Sequence, residues 1–277
     1  MKAISGFFLQ EPINSFNQLA TKGSYFNKYR QSLGEGPDMR ERSQPSPRIA
    51  ATSQQRFSTG DYILIDKPLH WTSFDVVRKI RNFLGIRKVG HAGTLDPLAT
   101  GLLIICTGQY TKKINEYMAA EKEYTGTITL GAVTPTYDLE SQPAQFKDYI
   151  HITTEQLFAA VQALSGTIQQ KPPIYSAIKK KGTPLYTLAR RGEVVDMEPR
   201  TVHIHSFELV QINLPEVSFK IRCSTGTYIR SIAHDFGALL GCGGYLSALR
   251  RTAIGDFLVK DASTIDEFMA IHADQNA

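Results

Sequence analysis

One aspartate of this chain, Asp96, lies in a loop whose other residues suit a catalytic carboxylate. Residues 90–101 have the sequence GHAGTLDPLATG and connect a predicted helix to an apolar run. Pro97 pushes Asp96 away from helical geometry toward an extended one, and Gly93 and Gly101 permit tight turns and the close approach of another backbone. An ionised carboxylate held outward on a stiff support can act as a nucleophile. An isolated Asp-Pro more often caps a turn, so the loop by itself leaves both interpretations open.

Histidine and cysteine, the other side chains suited to nucleophilic or metal chemistry, are sparse. His203 and His205 are two positions apart in a predicted strand and share a face, but no third metal ligand is evident. We interpret them as a surface pair and predict no metal. Cys106, Cys223 and Cys242 form no CxxC pair and have no zinc-finger spacing, so we expect free thiols in a reducing compartment.

Two elements must position the loop that carries Asp96. The apolar run YILI at residues 62–65 indicates a buried strand. The segment TSFDVVRKIRNFLG at residues 72–85 has the apolar stripe of a helix. Thr72 or Ser73 can cap this helix, and Gly85 is its expected end.

The rest of the chain alternates predicted strands and helices. Period-two alternation indicates strands at residues 124–131 and 217–223. Apolar stripes predict helices at residues 155–164 and 229–240, and a basic helix is expected at residues 186–191. Because strands and helices are interspersed with hairpin-like spacings, the sequence predicts an α+β fold with a central mixed sheet.

Composition divides the chain into three parts. Residues 1–58 are rich in polar residues, Gly and Pro and lack apolar periodicity, so we expect a disordered leader of unknown role. Acidic residues count against a transit peptide; a start codon upstream of the true one, with Met39 the next candidate, is an open alternative. Residues 59–258 are expected to form the folded domain and residues 259–277 a short tail.

The totals describe an ordinary globular chain with a basic excess. Its 277 residues are 42% hydrophobic and 21% charged, with a formal net charge of +5 and a pI of about 9.0. Excess Lys and Arg suit a polyanionic partner such as RNA, although many proteins without such a partner are equally basic. No apolar run is long enough to cross a bilayer, and the first residues make a poor secretory signal. We therefore expect a cytoplasmic protein.

The string around Asp96, GHAGTLDPLATGLL, closely resembles the signature of the bacterial tRNA pseudouridine-55 synthase family, TruB. Five further strings agree with the family in order and spacing: DKPLHWTSFDVVRKIR, KEYTGTITLGAVTPTYD, QKPPIYSAIKKKGTPLYTLARRGE, CSTGTYIRSIAHDFG and GGYLSALRRTAIGDF. The resemblance implies a pseudouridine synthase fold for residues 59–258, with a central mixed, mainly antiparallel sheet flanked by helices and loops. The family often adds a small C-terminal RNA-binding domain of the PUA type, for which too few residues follow Phe257.

The resemblance implies that Asp96 attacks a target nucleotide, whose base is cut from its ribose at N1, turned and rejoined through C5. The reaction needs no net electrons and no group donor, so no cofactor is expected. Arg230 matches the family Arg that pairs with the catalytic Asp. Its permanent charge would keep a half-buried Asp96 ionised, and a bidentate pair would fix the direction of the carboxylate. Attack at C1′, attack at C6 and assistance of glycal formation all stay open.

Further family positions would form the pocket and grip the RNA. Tyr124 matches the Tyr that stacks on the target base, and Tyr228 and Leu249 match positions that line the pocket. His91 matches the residue that fills the space left by the extruded nucleotide, a role of shape that needs no proton. The basic residues expected to contact RNA phosphates are Lys67, Lys179, Lys180, Arg190 and Arg250.

The resemblance thus predicts an enzyme that binds the T-arm of tRNA as a monomer, without a membrane or a small-molecule cofactor. Three alternatives stay open: the same chemistry on another structured RNA, an RNA-folding module whose modification activity is secondary, and a retired enzyme that only binds RNA. Intact Asp96, Arg230 and Tyr124 argue against retirement. A carboxylate-pair glycosidase is disfavoured because no second acid stands in a comparable loop.

Overall fold

A large sheet forms the centre of the computed structural model, which describes residues 49–176, 179–180, 183–184 and 197–274. It contains the strands predicted at residues 62–65, 124–131 and 217–223, with ends that differ by one or two residues, together with further strands. The strands are β1 (Tyr62–Lys67), β2 (Val89–Ala92), β3 (Ala99–Thr107), β4 (Lys122–Leu130), β5 (Gly166–Gln170), β6 (Lys179–Lys180), β7 (Thr183–Pro184), β8 (Arg200–Asn213), β9 (Glu216–Cys223), β10 (Gly244–Ile254) and β11 (Phe257–Leu258).

The nine-stranded sheet is mixed and mainly antiparallel. Its main path is β1-β3-β10-β4-β9-β8-β5, with β2 paired to β3 and β11 paired to β10. Strands β3 and β10 run parallel, and every other pairing of named strands in this sheet is antiparallel. β6 and β7 form a separate two-stranded ribbon. The predicted α+β class with a central mixed sheet is confirmed.

Helices flank the sheet, and the best-predicted one lies next to the Asp96 loop. The described helices are α1 (Ala51–Thr59), α2 (Ser73–Leu84), α3 (Ile114–Ala119), α4 (Thr154–Ala163), α5 (Ile229–Leu239) and α6 (Ile265–His272). Helix α2 begins with a reciprocal capping box between Thr72 and Asp75 and ends at Gly85, whose φ of 63° is left-handed. The sequence prediction of this helix is therefore confirmed at both ends.

Apolar side chains form two large buried clusters. One packs α4 and α5 against the sheet and includes Ile128, Phe219 and Phe236; the other packs α1, α2 and α6 around β1 and β3. Leu95 and Ala99, which precede and follow Asp96 closely, are 4% and 2% exposed and belong to the first cluster. The loop is thus anchored in the core on both sides of its carboxylate.

Ordered structure begins earlier than the sequence predicted. Helix α1 covers the end of the segment expected as a disordered leader. It is ordered because Phe57, 2% exposed, packs against Phe268. The expected tail after residue 258 likewise contains α6, whose Phe268 is 4% exposed in the second cluster. Residues 1–48 and the predicted basic helix at 186–191 lie outside the described residues. Within the described residues no helix is both long and apolar enough to span a membrane.

Candidate active site

Asp96 lies on the wall of a cleft where β3 and β10 run side by side. Residues 93–98 connect β2 to β3 without strand or helix geometry, and Leu249 of β10 pairs with Ala99 at the start of β3. The Asp96 side chain is 38% exposed, which leaves its carboxylate open to a ligand. The cleft is lined by Asp96, Leu98, Ala99, Asp138, Arg230, Leu246, Ser247, Ala248 and Leu249.

Hydrogen bonds from the elements around the loop hold its backbone rigid. The hydroxyl of Ser73, at the start of α2, accepts from the Leu95 amide at 2.9 Å and donates to the Leu95 carbonyl at 3.1 Å. The amide of His70 donates to the Pro97 carbonyl at 2.8 Å. Both ends of the Leu95–Pro97 stretch are therefore fixed by the chain segment that leads into α2. This explains why the helix predicted beside the loop matters to the site.

A buried arginine, Arg251, holds the other end of the loop. It is 1% exposed, and its Nε donates to the Leu102 carbonyl at 2.8 Å while Nη2 donates to the Gly93 carbonyl at 3.0 Å. Gly101, with φ of 100°, lies against the Arg251 backbone, where a Cβ would overlap the Arg251 carbonyl oxygen. The expected role of Gly101, the close approach of another backbone, is therefore observed.

The guanidinium of Arg230, at the start of helix α5, contacts the carboxylate of Asp96. Its Nε lies 2.9 Å from Asp96 Oδ2, so the expected contact is present, but it is made through one nitrogen and not as the bidentate pair. Nη1 donates to the Thr136 carbonyl at 3.2 Å and Nη2 to the Tyr175 carbonyl at 3.0 Å. All three guanidinium nitrogens are engaged, and the residue is 5% exposed. The partly exposed carboxylate is therefore held in place by a buried guanidinium that has fixed partners of its own.

A second carboxylate, Asp138, shares the same guanidinium. Its Oδ2 lies 3.7 Å from Nε of Arg230, and its side chain is 5% exposed. Burial raises the pKa of Asp138, against the opposing effects of a hydrogen bond from Thr136 and the Arg230 charge. The sequence shows no second acid in a loop comparable to that of Asp96, yet the fold places Asp138 beside the same guanidinium, because the turn after β4 folds back onto α5. Asp96, with 38% of its side chain exposed, is still the carboxylate open to the cleft.

Asp138 lies in the family-like string KEYTGTITLGAVTPTYD, but the sequence alone gives it no role. An Asp in a Thr- and Pro-containing turn is ordinarily a capping residue. A local pattern carries no sign that this turn reaches a helix almost a hundred residues further along the chain. The one available signal was that the turn follows β4, the strand on which Tyr124 lies.

The predicted pocket residues are only partly brought together. Leu249 lines the cleft with Asp96 and Arg230. Tyr124 is 8% exposed on β4, opposite Arg251, and packs in the first core cluster; it is not part of the described cleft wall. Burial raises the pKa of the Tyr124 hydroxyl.

Tyr228 caps the start of α5, two residues before Arg230, and is half-buried. Its amide donates to Gln170 Oε1 at 2.7 Å, and Gln170 Nε2 donates back to the Tyr228 carbonyl at 3.1 Å. This reciprocal pair ties the entry of α5 to the end of β5. Burial raises the pKa of the Tyr228 hydroxyl, so both tyrosines of the predicted pocket carry neutral phenols.

His91 lies on a strand, although the sequence placed it in a loop. Residues Val89–Ala92 form β2, in which His91 pairs with Ile105 of β3. Burial lowers the pKa of His91, and the charge of Arg251 acts in the same direction. The imidazole is therefore neutral near neutral pH, which is compatible with a role of shape.

Lys67, one of the residues predicted to contact RNA phosphates, is buried in the structure. Lys67 is 0% exposed, and its ammonium donates to the carbonyls of Pro68 at 3.0 Å and Trp71 at 2.6 Å. Burial lowers its pKa to about 8. Lys67 therefore supports the segment beneath the Asp96 loop and has no path to a phosphate. The motif spacing alone did not reveal this, because an Asp-Lys-Pro break is usually exposed.

Of the other basic residues predicted to bind RNA, one forms an ion pair within the protein, and for the rest the prediction stays a prediction. Arg250 forms a bidentate pair with Asp66, at 3.0 and 2.6 Å. Lys179 and Lys180 form β6, but their side chains, like Arg190 as a whole, lie outside the described residues.

The two histidines of the predicted surface pair are both exposed on β8. The His203 and His205 rings are 4.6 Å apart, His203 is hydrogen-bonded to Thr167, and His205 contacts Glu121. No cluster of three or more potential His, Cys, Asp or Glu ligands occurs in the part of the chain that the structure describes.

Two family models match this chain. Residues 81–229 match the TruB family pseudouridylate synthase N-terminal domain, and residues 230–277 match the tRNA pseudouridylate synthase B C-terminal domain. The boundary between the two matches falls inside the first turn of α5, so both matched segments contribute to one sheet.

Curated relatives and solved structures agree with these matches. A tRNA pseudouridine synthase B from Flavobacterium johnsoniae is 51% identical over 221 residues, which are 77% of this chain and 96% of the relative. One from Chloroherpeton thalassium is 48% identical over 76% of this chain and 89% of the relative. One chain in the crystal structure of a Cbf5–Nop10–Gar1 complex is 26% identical to this chain, with a TM-score of 0.60, over 84% of this chain and 61% of that chain.

Proposed function

Because the chain belongs to the TruB family of pseudouridylate synthases, we propose that it isomerises the T-loop uridine of tRNA, position 55, to pseudouridine, with Asp96 as the catalytic carboxylate. The observation that carries the proposal is the pair in the cleft: a partly exposed carboxylate 2.9 Å from a buried guanidinium. The proposed substrate is the T-arm of tRNA, and the proposed enzyme acts as a monomer in the cytoplasm.

The chemistry of this isomerisation balances without a second reactant. The N1–C1′ bond of the uridine breaks and a C5–C1′ bond forms. N1 gains a proton and C5 loses one, so no electrons enter or leave and no group is transferred from a donor. A cofactor is therefore not needed. What the reaction does need is an ionised carboxylate next to the ribose and the pyrimidine, in a place from which water is largely excluded.

Asp96 is suited to that task because it borders both the open cleft and the guanidinium of Arg230. The carboxylate is partly exposed in the cleft, and its Oδ2 contacts the buried guanidinium of Arg230. The same placement serves attack at C1′, attack at C6 and assistance of glycal formation. Asp138, which shares the guanidinium, acts on the reaction only through Arg230 in this proposal.

The target base must leave the RNA stack to reach this carboxylate, and extrusion of the nucleotide is part of the proposal. Leu249 would form an apolar wall beside the base, and Tyr124 would stack on it. The neutral Tyr124 hydroxyl, with its raised pKa, could then take part in proton transfer. His91, neutral and on a strand, would fill the space left in the RNA loop by shape alone.

The test uses unmodified tRNA with tritium at C5 of its uridines. Tritium is released when C5 bonds to C1′, and chemical sequencing then locates the product. We expect one site in the T loop. Asp96→Asn should abolish release while binding of tRNA persists, because the amide keeps the shape and loses the charge. Asp256→Asn, at an exposed aspartate on the turn after β10, is the matched control and should turn over normally.

Each failure has a distinct meaning. Normal tritium release from the Asp96→Asn variant would overturn the assignment of Asp96. Product at another uridine, or in another structured RNA only, would overturn the T-loop assignment and leave the chemistry in place.

A further inference from the structure

Two aromatic rings that the proposed mechanism does not use lie stacked beside the Arg230 cluster. The rings of Tyr137 and His234 have centroids 3.9 Å apart and an interplanar angle of 13°, which is face-to-face contact. His234 follows Arg230 by one helical turn on α5, so both side chains leave the same face of that helix. Tyr137 directly precedes Asp138, the second carboxylate at Arg230.

The two neighbours of Tyr137 in the chain provide two of the four contacts described for Arg230. The carbonyl of Thr136 accepts from Nη1 at 3.2 Å, and the carboxylate of Asp138 lies 3.7 Å from Nε. Tyr137 itself has φ of 64°, a left-handed conformation that is uncommon for a residue with a side chain. The Leu246 amide of β10 donates to the Tyr137 carbonyl at 2.9 Å, which ties the backbone of the turn to the sheet. Toward α5, the ring of Tyr137 stacks on the imidazole of His234.

The imidazole of His234 contributes a ring face and no charge to this contact. Nδ1 of His234 is buried and has no hydrogen-bond partner among the described residues. Burial lowers the pKa of His234, and burial with the nearby charge of Asp235 raises the pKa of Tyr137. Both rings are thus neutral near neutral pH. Their contact is therefore aromatic stacking, which adds no second cation beside Arg230.

We propose that the Tyr137–His234 stack is a positioning pair for the isomerisation: it holds the Thr136–Asp138 turn against α5, so that Arg230 presents Asp96 to the substrate. Neither ring touches the reacting atoms in this proposal. Removal of the stack lets the turn move away from the helix, which leaves the guanidinium with fewer of its fixed partners. The inference rests on the proposed function, because turnover of uridine is its readout.

The test compares truncated and flat-ring variants. Tyr137→Gly removes the ring and keeps the left-handed turn, which Gly adopts without strain; His234→Ala removes the other ring. For both we expect the single-turnover rate constant to fall by about three- to tenfold, the range that loss of one aromatic contact produces. Affinity for tRNA should not change. Tyr137→Phe and His234→Phe keep a flat ring and should restore turnover close to the wild-type rate.

A double variant separates positioning from general loss of structure. Because both truncations remove the same contact, the combined Tyr137→Gly and His234→Ala protein should be no slower than the slower single variant. His203→Ala, at an exposed histidine on β8, is the matched control and should leave kcat unchanged. Thermal unfolding of each variant identifies any that is not folded, and the Phe variants decide the matter in that case.

Three results would overturn the proposal: wild-type kcat in both truncated variants, Phe variants as slow as the truncations, or effects that multiply in the double variant. An unsubstituted chain that forms no pseudouridine would overturn the proposed function itself. Normal variants of an active chain would overturn only the role of the stack.

Discussion

Replacing Arg230 by Met removes the guanidinium that connects Asp96 to the core and leaves an unbranched apolar side chain. The pair with Asp96 is 2.9 Å long, and the carbonyls of Thr136 and Tyr175 lose their donors at 3.2 and 3.0 Å. A hydrogen bond to a charged group contributes about 1.5–3 kcal/mol, which corresponds to a rate factor of about 10 to 150. We therefore expect kcat to fall by about two orders of magnitude.

The same substitution should lower stability and leave RNA binding intact. The Asp138 carboxylate, 5% exposed, loses its cation, and breaking a buried pair costs about 3–5 kcal/mol. The lower end applies, because the pKa of Asp138 is already raised and its carboxyl can take up a proton. Arg230 is 5% exposed and cannot reach a phosphate, so affinity for tRNA should not change. Arg230→Lys keeps the charge but not the fork, and an intermediate kcat is expected.

The assay is tritium release under single turnover, with protein in excess over tRNA, so that product release does not mask the chemical step. Filter binding gives the Kd for tRNA, and thermal unfolding shows that each variant is folded at the assay temperature. Arg222→Met is the matched control, because Arg222 pairs with Glu121 at 2.7 Å but is 59% exposed and lies outside the cleft. A folded Arg230→Met protein with near-normal kcat would refute the ion-pair reasoning.

Two further predictions concern stability. Gly101→Ala should lower the free energy of unfolding by more than about 2 kcal/mol, because its φ is 100° and a Cβ would overlap the Arg251 carbonyl. Gly226→Ala, with φ of 83° and open space around it, should cost less in the same urea titration; equal losses would contradict the overlap. Burial raises the pKa of Asp235 from 3.8 to about 6, so the folded state binds that proton more tightly and loses stability as pH rises through this range. The stability of Asp235→Asn minus that of wild type should therefore be larger near pH 8 than near pH 5, by about 1 kcal/mol after allowance for partial exposure; an equal difference at both pH values would contradict this.

Much of the local structure around the site was predictable because it depends on neighbouring residues. Helix α2 follows from its apolar stripe, the Thr72–Asp75 capping box and Gly85, all of which act within a few positions. The Asp-Pro and glycine content of the loop likewise indicated a rigid, extended Asp96. The family resemblance drawn from the motif strings is confirmed, because long strings in a fixed order are specific without any knowledge of tertiary contacts.

Errors arose where burial decides the outcome. Lys67 has the sequence context of an exposed basic residue, yet it is 0% exposed with its ammonium bonded to two carbonyls. Phe57 lies in a polar segment and is nevertheless buried against α6. Desolvation depends on which distant element covers a side chain, and a local pattern does not contain that information.

The sequence by itself predicted several central strands, the capped helix and the loop, because each depends on propensities and spacings within a short window. Its resemblance to the family singled out Asp96. Only the tertiary structure decided what surrounds that carboxylate. Asp138 and the Tyr137–His234 stack join Arg230 because the turn after β4 meets the first turns of α5 across the sheet. Such contacts form when long loops close and apolar faces pack together, so they are set by the whole fold and not by any segment of it.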